Sequence, residues 1–293
     1  MEGINPDSFR VTRPIKLASR QTRCDIEASE DEIEDKLDTV RKKLAKIQET
    51  MYAHNRYSVL ICLQGMDTSG KDSLIREVFK EINPRGVVIN SFKTPNSNEL
   101  EHDYLWRHYL ALPEKGKMGV FNRSHYENVL VTRVHPEYIL KENLPGINDT
   151  SDITQEFWEN RMAQIRNFEN HLVENGTIVL KFFFNLSKEE QRIRLLRRLD
   201  EAKHNWKFSV GDLHERERWD DYMKYYEEAI NKTSVHDAPW FVVPADHKEM
   251  TRYIVGKIIL EELQKYTDIQ NPELDEEISR NIALYREQLE KEA

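Results

Sequence analysis

Gly65 to Asp72 read GMDTSGKD, directly after the apolar run VLICLQ at 59–64. A strand that enters a glycine-bounded loop and leaves as a helix is a site for an anion. Backbone N–H groups wrap a phosphate, and the helix points its positive end at it. Gly65, Met66, Thr68, Ser69 and Gly70 are candidates for that main-chain cradle, and Lys71 adds a full charge where the outer phosphates would lie. Such loops usually end Lys-Ser/Thr, whose hydroxyl ligates magnesium. Asp72 stands there instead, so magnesium needs another protein ligand. Asp67 lies inside the loop, where a carboxylate repels a bare anion but is tolerable with a metal between them. The plainer reading is a turn-forming Asp.

A second group, FNRSHYE at 121–127, follows the apolar MGVF of 118–121. In phosphate-loop enzymes an acidic residue at a neighbouring strand end commonly holds the metal. Asn122 is a neutral, weaker ligand, and Glu127 can supply the missing charge. Asp67, Asn122 and Glu127 are therefore the candidate magnesium ligands. Arg123 would face the transferring phosphate, with Arg133 further along the same helix. The competing reading is an ordinary surface helix start.

The third group is Arg192, Arg194, Arg197 and Arg198, with Lys203 and Lys207 around Trp206. Arg194 and Arg198 are four apart, so they share a helix face and repel. An anion would relieve that. A lid carrying arginines onto phosphates fits, within about 198–214; solvated charges offset by nearby acids are the alternative. Lys93 follows a strand where an acceptor loop belongs. His102, His108, His125, His135 and His171 lack zinc-site spacing, and no Ser/His/Asp arrangement can be argued.

These residues need elements to hold them. Ser29 and Glu32 form a capping box, and Ile33, Leu37, Val40, Leu44, Ile47 and Met51 recur in steps of four and three as one helical stripe. Strands are expected at 59–64, 86–90, 118–121, 177–184 and 240–243. Helices are expected from 74 to near Pro84, over 100–112, from Ser124, over 150–174 up to Asn175-Gly176, from Ser187 with Glu190 as a capping box, and over 251–266. Short apolar strands alternating with helices predict an α/β fold with a parallel sheet covered on both faces, its ligands at the carboxyl ends of the strands. Residues 1–28 read as an arm over the surface, 29–266 as the catalytic domain and 267–293 as an acidic, helical tail.

At 293 residues, 39% hydrophobic and 10% aromatic, the chain is globular in composition. The net charge of −9 argues against a non-specific nucleic-acid coat, while leaving room for a local basic cleft. No run reaches the roughly 18–20 apolar residues of a membrane span. No secretory signal is evident, and the cytoplasm is the expected compartment.

Together the pieces resemble the second family of polyphosphate kinases. The match rests on GMDTSGKD at 65–72, LWR at 105–107, FNRSHYE at 121–127, VTRVHP at 131–136, RRLDEAKHNWKFS at 197–209 and PWFVVPAD at 239–246. The resemblance implies a P-loop, thymidylate kinase-like three-layer fold with five parallel strands and a helical lid. It implies reversible phosphoryl transfer between inorganic polyphosphate and AMP or ADP, forming ADP or ATP. Magnesium would be the metal, with manganese as a substitute. Asp67 and Lys71 fall on the family's first loop, Arg123 on its second motif and Arg198 on its lid arginine; Arg107 lies in the LWR motif. Many members have Asp where this chain has Asn122, and Asn122 with Glu127 is similar to the class III subgroup that accepts AMP and ADP. Guanine nucleotides as further substrates and a homo-oligomeric state, dimer or tetramer, complete the expectation, with no nucleic acid or membrane partner. Two alternatives stay open: an ATP-dependent nucleoside monophosphate kinase, and a nucleotide- or polyphosphate-binding regulator without catalysis.

Overall fold

The structure is a computed structural model and describes residues 4–24 and 28–292. Residues 1–3 and 25–27 of the expected arm, and Ala293 of the expected tail, lie outside the described residues. The chain forms α1 (Glu30–His54), β1 (Ser58–Gln64), α2 (Lys71–Val78), β2 (Val87–Ser91), α3 (Ser97–Leu100), α4 (Trp106–Tyr109), β3 (Met118–Asn122), α5 (Val131–Val134), α6 (Glu137–Leu140), α7 (Gln155–Glu174), β4 (Thr177–Asn185), α8 (Lys188–Asp200), α9 (Val210–Glu217), α10 (Trp219–Thr233), β5 (Trp240–Pro244), α11 (Lys248–Gln264) and α12 (Glu276–Glu290).

The five strands pair in parallel in the order β2-β3-β1-β4-β5. Alternate residues of β1 serve opposite faces, as the pleat requires. Val59, Ile61 and Leu63 pack into one core with α1, α2 and α11, whereas Leu60 and Cys62 join Phe121, Phe168 and Val179 on the other side. The stripe of α1 is buried at Ile33, Leu37, Val40, Leu44 and Met51, and the Ser29–Glu32 capping box is complete. Helices α7 and α10 cover the second face around Trp158, Met162, Tyr226 and Ile230. The result is three layers, with all the strands' carboxyl ends on one edge.

The N-terminal segment is built into the fold. Ile4, Val11, Ile15 and Leu17 are buried, and Arg10 bridges Phe241 antiparallel at the β5 edge. Five helix expectations need correction. The helix expected to run to near Pro84 ends at Val78, with Phe79 as its C-cap. The helix over 100–112 is two short pieces. Asp103 interrupts it, its carboxylate accepting the Leu105 N–H at 2.9 Å. The helix from Ser124 is a 3-10 turn (His125–Val129) followed by α5 and α6; His135 breaks it with ψ 72°, just before Pro136. The helix over 150–174 begins at Gln155, because Thr154 caps it. Only half of the second capping box forms. Ser187 accepts the Glu190 N–H at 3.0 Å, but the Glu190 side chain turns to Arg194 at 2.7 Å. Helix α10 was not anticipated, although Trp219, Tyr222, Tyr226, Ile230 and Thr233 carry helical spacing.

Candidate active site

The phosphate loop leaves β1 through two glycines that no other residue replaces cheaply. Gly65 has φ +153°, and a Cβ there would lie 2.9 Å from the Phe184 Cβ. Gly70, at φ +104°, is the N-cap of α2. Thr68, at φ +66°, turns the loop between them. Lys71 is the first residue of α2, and its ammonium donates to the carbonyls of Gly65 (2.6 Å) and Met66 (3.2 Å) and to the Ser69 hydroxyl (3.2 Å). Burial, and then the Arg123 charge, push its pKa down to about 8, against the pull of Asp67, Glu127 and Asp72.

Register sets the second motif beside this loop. Asn122 ends β3 opposite Leu63 of β1 and Ser91 of β2. Its amide nitrogen donates to Asp72 at 2.6 Å, so Asp72 ties the helix start to the neighbouring strand end. Arg123 turns into the left-handed region at φ +60° and reaches Asp67 at 2.6 Å and Glu127 at 3.5 Å. Glu127 above all, opposing burial and with help from Asp67, holds the guanidinium charge firmly in place.

The oxygen donors here are those of a hard cation. Asp67 and Glu127 carry the carboxylates, and Asn122 can offer only its carbonyl oxygen. Among the described residues, the one place where three His, Asp or Glu ligand atoms lie within 4.8 Å is Glu30–His247–Glu249, outside the cleft. The site therefore forms no closed protein cage. A divalent cation held here would take most of its ligands from water and substrate phosphates.

Two cavities meet at this point. One, of about 380 Å³, runs over the phosphate loop. Nine Lys and Arg side chains line it against two Asp, and no Phe, Tyr, Trp or aliphatic side chain does. The other, of about 650 Å³, is lined by Phe92, Tyr104, Tyr138 and Tyr222 among others. Asp67 and Arg123 are the two residues that line both. Lys93 and Arg107 belong to the larger, aromatic cavity, where the Arg107 guanidinium donates to the Lys93 carbonyl at 2.7 Å and lies over Phe92.

The arginine helix divides by role. Arg198 lines the basic cavity and pairs with Asp212 of α9 at 2.8 Å, while also donating to the Lys207 carbonyl. Lys207 lines the same cavity. Arg194, expected to await an anion on the same face, is 6% exposed and already satisfied. It binds Glu190 and the carbonyls of Thr68, Ala245 and Asp246, so it braces the loop while also lining the basic cavity. Two expected residues lie elsewhere. Arg133 pairs with Glu228 at 2.8 Å and stacks on Tyr225 and Trp158. Lys203 is 71% exposed beside Glu201. Among the residues not singled out in advance, Arg76, Lys248 and Arg252 line the basic cavity. The available signal was the position of Lys248, just past the end of the last strand.

The chain matches the family model "Polyphosphate kinase 2 (PPK2)" over residues 27–272. It is 45% identical over 291 residues to an ADP-polyphosphate phosphotransferase of Rhodopseudomonas palustris, covering 98% of this chain and 99% of that one. It is 44% identical over 228 residues to an AMP/ADP-polyphosphate phosphotransferase of Meiothermus ruber, covering 78% and 80%. The crystal structure of polyphosphate kinase 2 from Arthrobacter aurescens TC1 superposes with a TM-score of 0.87 at 35% identity, covering 97% of each chain.

Proposed function

The chain belongs to the polyphosphate kinase 2 family, and from that premise we propose how its two cavities divide the work of a polyphosphate-dependent nucleotide phosphotransferase. The basic cavity takes the polyphosphate, and the aromatic one takes AMP or ADP as acceptor. The observation that carries this reading is the contrast in lining. A donor made only of phosphates needs cations and nothing to stack on, and the basic cavity offers that. A nucleotide donor would need a surface for its base, so the rival ATP-dependent kinase fits less well.

In the forward direction an oxygen of the acceptor's terminal phosphate attacks the end phosphorus of polyphosphate. The bridging bond breaks, and the shortened polyphosphate leaves with the electron pair. Both bonds are phosphoanhydrides, so catalysis is positioning and charge neutralisation. The loop N–H groups hold the donor, and the Lys71 charge behind them attracts it. Arg123, held by Asp67 and Glu127 at the wall common to both cavities, faces the transferring group. Arg198 comes from a lid formed by the end of α8 and α9, and its Asp212 contact ties the two parts. Members of this family work with a divalent metal. We assign magnesium, with manganese able to replace it, to Asp67, Glu127 and the Asn122 carbonyl; when bound it neutralises phosphate charge. The reaction belongs in the cytoplasm, where its nucleotides are, and the chain is read as a homo-oligomer that also accepts guanine nucleotides.

Initial rates with purified polyphosphate, magnesium and either AMP or ADP test the acceptor assignment. Turnover with each supports it. Turnover with ADP and none with AMP removes AMP from the reading.

A further inference from the structure

We propose that the buried carboxylate of Glu169, on α7, is a positioning residue that fixes Arg123 for the transfer step. The inference rests on the reading of Arg123 as the group facing the transferring phosphate. Arg123 leaves its strand in a left-handed conformation that costs energy for a residue with a side chain, so its neighbours must hold it. They do so from below. The three residues that follow, Ser124, His125 and Tyr126, are fully buried. Ser124 takes a hydrogen bond from Gln64 at 3.2 Å, and the Arg123 N–H donates to the Leu63 carbonyl at 3.2 Å.

Glu169 closes this anchor from the opposite layer. Its Oε1 accepts the Tyr126 hydroxyl at 2.8 Å and lies 3.1 Å from His125 Nε2, while its Oε2 receives the Lys181 ammonium at 2.5 Å. Lys181 also reaches the Tyr126 oxygen at 3.0 Å and the Thr233 carbonyl at 2.8 Å. Burial alone would raise the Glu169 carboxyl, but Lys181 and His125 reverse this and keep it ionised. None of these four side chains lines either cavity, so the cluster reaches substrate only through the turn above it. A buried ion pair adds little stability over apolar packing of the same volume. Here its geometry serves one conformation of one turn.

The test is a double-mutant cycle on the full chain. Tyr126→Phe and Glu169→Gln are each made alone and with Arg123→Ala, and kcat, KM and thermal midpoint are measured for all. Tyr126→Phe is included because Glu169→Gln leaves Lys181 unpaired and can fail to fold. The expected result is a fall in kcat of about 10- to 100-fold for folded Tyr126→Phe. KM for polyphosphate and nucleotide stays within about twofold, as expected when only transition-state stabilisation is lost. In the Arg123→Ala background there is no further fall, because the two act as one unit. Equal falls in both backgrounds, or unchanged kcat in folded Tyr126→Phe beside an impaired Arg123→Ala, overturn the proposal alone. Full turnover in Arg123→Ala overturns its premise and the proposal together.

Discussion

Lys71 donates all three of its ammonium protons inside its own loop, and it is 8% exposed. A lysine buried this way is charged at neutral pH but loses its proton near pH 8 in the free enzyme. We expect kcat/KM, which reports free-enzyme ionisations, to fall above about pH 8. Lys71→Arg, which stays charged, should move that limb upward by more than about one pH unit whatever its absolute rate. The stability effect has the opposite sign. Between about 8 and 10.5 the unfolded chain holds the proton and the folded one has lost it, so this group makes the folded state more stable as pH rises through that window. The two arginines of the second motif should separate cleanly. Arg123→Ala is expected to lower kcat about 10³-fold, an effect far larger than its loss of thermal midpoint from leaving Asp67 and Glu127 unpaired. Arg133→Ala should chiefly lower the midpoint, because it leaves Glu228 unpaired and empties a slot between Trp158 and Tyr225. That Asp67, Lys71 and Arg123 come together at one cavity was legible in the sequence, because their spacing from a strand end sets their geometry. Arg133 was not, since its partner comes from a distant helix that no local pattern couples to it.

The same difference between near and distant partners governs the elements. Strands were easy to find, being apolar on both faces and bounded by turns. The arginine helix was found too, and its Arg194, Arg197 and Arg198 line the basic cavity, though with different partners. Arg194 points back to loop carbonyls and to Glu190, whereas Arg198 points forward to α9. Arg194→Ala should therefore cost stability, about 1–3 kcal/mol for the carbonyls and carboxylate left behind. Arg198→Ala should leave the midpoint near the wild-type value and lower kcat by up to about 10³-fold. Comparable loss of stability in both variants would remove the division between brace and lid. The broken helices after Leu100 and Ser124 follow from side chains that bond the local backbone, Asp103 to the Leu105 N–H and Ser124 to the Tyr126 N–H. Such bonds compete with helix and are weakly marked in hydrophobic spacing.

At the scale of the molecule, an acidic chain of net charge −9 gathers nine Lys and Arg around one cavity. That field, and not the total, meets the substrate. Polyphosphate affinity should fall about 10- to 100-fold between 50 and 200 mM salt if roughly four of these cations pair with phosphates, by analogy with single-stranded nucleic acids. AMP affinity should change much less. A flat salt response for polyphosphate would contradict a channel of many weak contacts. The layered fold was legible from the alternation of strands and helices. The division into two cavities was not, because Phe92, Tyr104, Tyr138 and Tyr222 come together only through tertiary packing.

The central claim is that an all-phosphate donor in the basic cavity passes its end group to a nucleotide at the wall formed by Asp67 and Arg123. The direct measurement is ATP formation from ADP, magnesium and purified polyphosphate, with wild type and Arg123→Ala side by side. ATP is expected to accumulate only with polyphosphate present, and its formation to be nearly abolished in the variant. Folded wild-type protein that binds polyphosphate yet forms no ATP, or an Arg123→Ala protein with wild-type rates, would contradict it.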